Sequence, residues 1–187
     1  MEKLQNHQGE DAVRVFRAAD ADEMTVCWQM AMENMDTPTA LILSRQNIKS
    51  LPEGNDYQKA RKGAYVVAGS DEQYDIILLA SGSEVSTLVE GAELLRKDGV
   101  RCRVVSVPSE GLFRRQPVGY QLLVLPSEDK VFGMTAGLPV TLQGLVGCHG
   151  RVFGMNSFGF SAPYKVLDEK LGFTPENVYK QVKEFLA

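Results

Sequence analysis

Residues 75–81, Asp-Ile-Ile-Leu-Leu-Ala-Ser, hold an unbroken apolar run of strand length. A strand with one wet face alternates polar and apolar residues. This one does not, so it belongs to a sheet covered on both faces. Ser81-Gly82-Ser83-Glu84 then turns the chain, and Val85, Leu88, Val89, Ala92 and Leu95 fall on one helical face. Ser81 and Glu84 have capping-box spacing, which sets an acceptor against the first free amides. Gly99 is placed to stop the helix in a left-handed conformation, and RCRVVSVPS supplies the next strand. Residues 75–108 therefore form a strand-helix-strand unit, the smallest piece of a parallel sheet, whose strands can be joined only through a crossover.

A similar unit precedes it. Ala12–Asp20 reads as a short strand ending on a helix start, with Asp20 and Glu23 at capping-box spacing. The helix places Met24, Cys27, Trp28 and Ala31 on one face and fades near Asn34. A strand follows from Thr39 and stops on Arg45. Gln46–Gly63 is polar, contains Pro52 and Gly54, shows no period and reads as a linker. GAYVVAG opens a second region, with a turn at Ser70-Asp71. Beyond Ser109, QLLVLP, KVFGMTAG and RVFGMNSFG are strand candidates, and LPVTLQGLVG suits a short helix. Ser161-Ala162-Pro163 opens a helix that Gly172 closes. Thr174-Pro175 opens the last one, with Val178, Val182 and Phe185 on one face. The expected fold class is α/β: a three-layer αβα sandwich with a mainly parallel sheet, preceded by a partial strand-helix-strand unit.

With 187 residues, 44% of them hydrophobic, the chain can bury a core. A net charge of −4 with scattered cations argues against nucleic acid as a partner. No apolar run approaches the ~20 residues of a membrane helix, and the first residues are charged rather than secretory in character, so no membrane partner and a cytoplasmic location are expected. Cys27, Cys102 and Cys148 lie far apart without CxxC spacing and read as reduced core thiols.

Candidate chemistry is sparse. The loop ASGSEVS sits where a phosphate could lie on helix amides, but it has a single glycine and no GxGxxG pattern, so a tight turn with a helix cap is the preferred reading. Arg45 is the better candidate. Ligands of open parallel sheets gather at the carboxyl ends of strands, where a guanidinium suits phosphate or carboxylate. The competing reading is a structural ion pair, with Asp20 as its partner. His149 lies in a glycine-flanked turn, Glu110 and Asp129 are isolated carboxylates, and Tyr120, Tyr164 and Tyr179 read as packing residues.

Several stretches, taken in order, resemble the C-terminal part of transketolase: FRAADADE, PTALILSRQN, KGAYVV, IILLASGSEVS, AELLRKDGVRCRVVSVPS and FGFSAPYKVLDEKLGFTPENV. The resemblance implies a fragment of a thiamine-diphosphate enzyme of the pentose phosphate pathway, one that transfers a two-carbon ketol unit between sugar phosphates as a homodimer. It places the tail of the pyrimidine-binding domain at 1–46, a linker at 47–63 and the transketolase C-terminal domain at 64–187. It further implies that Arg45, in LSRQN, holds the phosphate of a sugar-phosphate substrate. The thiamine diphosphate, Mg²⁺ and catalytic residues of the family belong to regions outside this chain. Neither cofactor is therefore expected to bind it alone, no catalytic or metal-binding residue is assigned, and the remaining transketolase domains are its expected partners. His7-Gln8 invites comparison with the family's His-Gln-Pro stretch, but Gly9 replaces the proline. Two alternatives are another thiamine-dependent enzyme, such as deoxyxylulose-phosphate synthase, and a stand-alone Rossmann-like nucleotide-binding or regulatory module resting on the SGSE loop.

Overall fold

Strand β4 (Ile76–Ala80) lies at the centre of the sheet, with all five residues buried. Ile76, Leu78 and Ala80 point to one face and Ile77 and Leu79 to the other, which is why the run carries no polar alternation. The computed structural model describes residues 5, 7, 9, 11–69 and 73–187, so the turn expected at Ser70-Asp71 lies outside the described residues.

On either side of β4 run β5 (Cys102–Ser106) and β6 (Val131–Met134), both parallel to it. β7 (Arg151–Phe153) extends the sheet beyond β6, and β3 (Tyr65–Ala68) pairs antiparallel with β5 at the other edge, giving the order β3-β5-β4-β6-β7. On one face lie α2 (Glu84–Lys97) and α7 (Pro175–Leu186), whose Val85, Leu88, Leu95, Val178 and Val182 meet Ile76, Leu78, Val104 and Phe132. The opposite face is covered by α3 (Glu110–Arg114), α4 (Val118–Val124) and α5 (Gln143–Val146), through Phe113, Val124, Leu145 and Val146. The sandwich region also carries α6 (Tyr164–Leu171), closed by left-handed Gly172, and a 3₁₀ turn at Pro139–Thr141. The result is the three-layer αβα arrangement expected from the sequence.

Two sequence expectations fail in this region. QLLVLP is not a strand but the end of α4. Pro117 starts a helical turn there, and Tyr120 and Val124, four residues apart, face the core while Leu122 and Leu123 face solvent. The Ser81–Glu84 capping box does not form either. The helix starts one residue after Ser83, and Ser81 and Glu84 turn towards Arg17.

Ahead of the sandwich stand β1 (Arg14–Phe16), α1 (Ala21–Glu33) and β2 (Thr39–Leu41), with β1 and β2 forming a two-stranded parallel sheet. Asp20 caps α1 as expected, its Oδ1 accepting from the Glu23 amide at 2.9 Å. The buried face of α1 is Glu23, Val26, Cys27 and Met30, so Trp28, 56% exposed, faces outward with Met32 and Met35. The helix is rotated from the expected stripe because Glu23 turns inward to polar partners. Polar segment 46–63 is no open strap: Leu51 and Ala60 are buried, and a 3₁₀ helix at Tyr57–Lys62 packs on α1. Phe16, Cys27, Met30, Leu51 and Ala60 join the core on the α2 and α7 face.

Candidate functional site

Arg45 is exposed and lies in a bend beyond the end of β2, four residues past Leu41. β1 and β2 are parallel, so their carboxyl ends point the same way, and Arg45 stands on the side where such sheets present ligands. The strand is shorter than the apolar sequence suggested: Ile42 and Leu43 already face solvent at 43% and 66%. Asp20 is not the partner of Arg45. Its Oδ2 accepts from the Leu51 amide at 2.9 Å and the Tyr57 hydroxyl at 2.8 Å, and its Oδ1 is occupied by the helix cap.

Below that end of the small sheet, a buried polar seam fastens the unit to the sandwich. Glu23, fully buried, accepts from the Ala19 amide at 2.5 Å and from the Ser106 hydroxyl, on β5, at 2.7 Å. Burial pushes the Glu23 carboxyl above its ordinary range. The bonds from Ala19 and Ser106 oppose that rise and neighbouring Asp20 adds to it. Burial pushes the Cys27 thiol up to about 12 and the Tyr65 hydroxyl up as well.

Arg17, just past β1, makes the second fastening. Its guanidinium donates to the Ser81 carbonyl and to Glu84 Oε1 at 3.0 Å, with 2.5 Å between Nη1 and Oε2. The Arg17 amide donates to the Pro108 carbonyl, and the Ser81 hydroxyl donates back to the Arg17 carbonyl. A methyl group on Gly82, whose φ is +71°, would sit 2.6 Å from the Arg17 guanidinium carbon. The space beside the SGSE loop is thus filled by a cation whose charge is already met by Glu84. This geometry opposes the nucleotide-module reading.

Between the two sheets opens a cleft of about 470 Å³, bounded by Ile42, Arg17, Ser81, Val107 and Thr135. It lies at the carboxyl ends of β4 and β6, from which the chain leaves to opposite faces of the sheet. Arg45 does not line it.

The other residues singled out from sequence take structural roles. Glu110 pairs with Arg114 at 2.7 Å, and Asp129 accepts from Tyr74, so neither carboxylate is isolated. The Tyr120 hydroxyl donates to the Ala64 carbonyl at 2.8 Å, Tyr179 donates to Asp98, and Tyr164 is 43% exposed. His149 is exposed in its turn, and Cys148 beside it is exposed too, unlike the core thiols Cys27 and Cys102. Arg17, Ser106 and Tyr65 escaped sequence reasoning. Only Arg17 left a trace, as a cation at a strand end matched by an acid at the start of α2.

Among the described residues no group of three or more His, Cys, Asp and Glu side chains could hold a metal ion. No helix is long and apolar enough to cross a membrane.

Fold and site together define an α/β sandwich domain welded to a partial parallel unit that presents an arginine at its strand ends. Residues 63–174 match the family described as the transketolase-like TK C-terminal domain, and the chain belongs to that family. The transketolase of Staphylococcus epidermidis is 41% identical over 174 residues, which cover 91% of this chain and 26% of the relative. Among solved structures, the transketolase from Leishmania mexicana superposes with a TM-score of 0.87 at 36% identity, over 94% of this chain and 25% of that one. A Pichia stipitis transketolase in complex with sedoheptulose-7-phosphate superposes with a TM-score of 0.87 at 31% identity, over 96% of this chain and 26% of that one. The chain spans about a quarter of the length of the curated relatives it matches.

Proposed function

We propose that this chain acts as the C-terminal portion of a thiamine-diphosphate-dependent transketolase, a transferase moving a two-carbon ketol unit between sugar phosphates in the pentose phosphate pathway. In this reading residues 1–46 are the tail of the pyrimidine-binding domain, 47–63 the linker and 64–187 the C-terminal domain. Thiamine diphosphate and Mg²⁺ are held by the rest of the enzyme, which works as a cytoplasmic homodimer.

One observation carries the reading for the site: Arg45 stands exposed at the carboxyl end of the β1–β2 pair, and Asp20, the expected structural partner, is fully engaged elsewhere. A guanidinium so placed can grip the phosphate of a sugar-phosphate substrate through charge-assisted bonds of about 1.5–3 kcal/mol each. The relative in complex with sedoheptulose-7-phosphate supports that substrate class. The exposed Trp28, Met32, Met35, Ile42 and Leu43 mark where the remaining transketolase domains would pack.

The experiment is co-expression with the missing amino-terminal portion of a related transketolase. Ketol transfer should appear only in the complex, and Arg45→Ala should raise KM for the sugar phosphate roughly tenfold or more while kcat changes little. Unchanged KM in that variant refutes the role of Arg45. Activity of the chain without its partner refutes the proposed division of labour.

A further inference from the structure

The antiparallel edge of the sandwich is built differently from its parallel edge. At the parallel edge, β7 has only three residues and is flanked by α5 and the 3₁₀ turn at Pro139–Thr141. β3, at the other edge, pairs among the described residues with β5 only, so its second side faces a groove rather than another described strand. This groove, of about 520 Å³, runs along Tyr65–Gly69. One wall is the segment carrying Asp56 and Lys59, and the other is formed by Tyr120 and Leu123 of α4 together with Arg103. The walls come from opposite faces of the sheet, so the floor between them is the strand edge itself. Four residues of strand extend about 13 Å, enough to pair with an extended segment of similar length.

The chemistry of the walls specifies the occupant. Leu123 is 68% exposed and, with the Tyr120 ring, offers apolar surface beside the edge. Charge in the groove runs against the −4 of the whole chain: Lys59 and Arg103 line it, Lys62 lies 4.3 Å above the Tyr120 ring, and among the described residues Asp56 is the single carboxylate of the lining. Arg103 is held in place by stacking on Tyr74 at 4.0 Å and by donating to the Tyr74 hydroxyl and the Leu123 carbonyl at 3.2 Å. It is a fixed charge, not a flexible surface side chain.

We infer that the free edge of β3 is a strand-addition site for an extended acidic segment of another protein chain. Main-chain bonds to β3 give affinity, alternate apolar side chains rest on Leu123 and Tyr120, and carboxylates face the exposed Lys59 and Lys62, with the charge of buried Arg103 beneath them. This inference does not depend on the role of Arg45 or on restored ketol transfer.

The test uses the chain as it is, with a fluorescein-labelled hexapeptide of alternating valine and glutamate and a valine-lysine hexapeptide as control. The acidic probe should bind saturably with Kd below about 1 mM, the control at least about tenfold more weakly. Hydrogen exchange should slow at the amides of residues 65–69. Lys59→Glu and Leu123→Asp, both at exposed positions, should each weaken the acidic probe roughly fivefold without changing the circular dichroism spectrum. The inference is overturned by the absence of saturable binding, by equal binding of the two probes, by protection confined to other strands, or by indifference to both substitutions. It is overturned as well if exchange at 65–69 slows with rising protein concentration in the absence of peptide, which would make a second copy the occupant.

Discussion

Replacing Arg17 by methionine tests whether the strand-helix-strand unit is fastened to the sandwich by charge. Methionine keeps most of the side-chain stem and deletes the guanidinium. Glu84, whose side chain is only 5% exposed, then loses its cation, and the Ser81 carbonyl loses a donor. Breaking a fully buried pair from one side costs about 3–5 kcal/mol. Arg17 is 26% exposed, so water can partly replace it, and the expected loss is about 2–3 kcal/mol. At this chain length that lowers Tm by roughly 4–12 °C. The double variant Arg17→Met with Glu84→Gln removes the stranded charge and should recover about 1–2 kcal/mol of the loss. Urea denaturation of the four proteins of the cycle at pH 7, followed by tryptophan fluorescence and circular dichroism, reads the difference. Trp28 reports on the small unit and circular dichroism on the whole, so coincident transitions are part of the expectation. Single and double variants of equal stability, or a first unfolding step confined to Trp28, would refute the fastening.

Other outcomes follow from the same geometry. Burial raises the Glu23 carboxyl, so the folded chain keeps a proton that the unfolded chain releases near 4.5. Its contribution is therefore full below that pH and is lost as pH rises through the higher folded value. Glu23→Gln should flatten this fall in Tm between mildly acidic and neutral pH, and an unchanged slope would exclude Glu23 as its source. Gly91→Ala, which in an exposed helix adds about 1 kcal/mol of stability, should here cost about 1–3 kcal/mol. The new methyl would lie 2.6 Å from Val178 Cγ1 on α7, and adding Val178→Ala should relieve part of the cost in thermal melts. An aromatic disulfide reagent at pH 8 should modify Cys148 in the native chain and reach Cys27 and Cys102 only after denaturation, since burial holds both of those thiols up at about 12.

The layered fold was legible because β4, α2 and β5 announce themselves independently: an apolar run, a helical stripe and a left-handed glycine all agree. α4 was not, because its apolar residues Leu122, Leu123 and Val124 are consecutive, and consecutive apolar residues fit a covered strand as well as a helix. The rotation of α1 was hidden for a different reason. An apolar stripe assumes that carboxylates face water, whereas Glu23 finds donors in Ala19 and Ser106, the latter 83 residues away. Arg45 stood out in sequence because it interrupts an apolar run. Arg17 did not, because its partner Glu84 lies 67 residues on and belongs to a different sheet-helix unit.

α7, the last element of the described chain, lays Val178 and Val182 into the core against α2, which is made some eighty residues earlier. During synthesis from the ribosome, β4, α2 and β5 emerge long before the helix that seals their outer surface. Until the final turn clears the exit tunnel, that surface stays open to chaperones and to neighbouring nascent chains. Loss of α7 would therefore do more harm than its distance from Arg45 suggests.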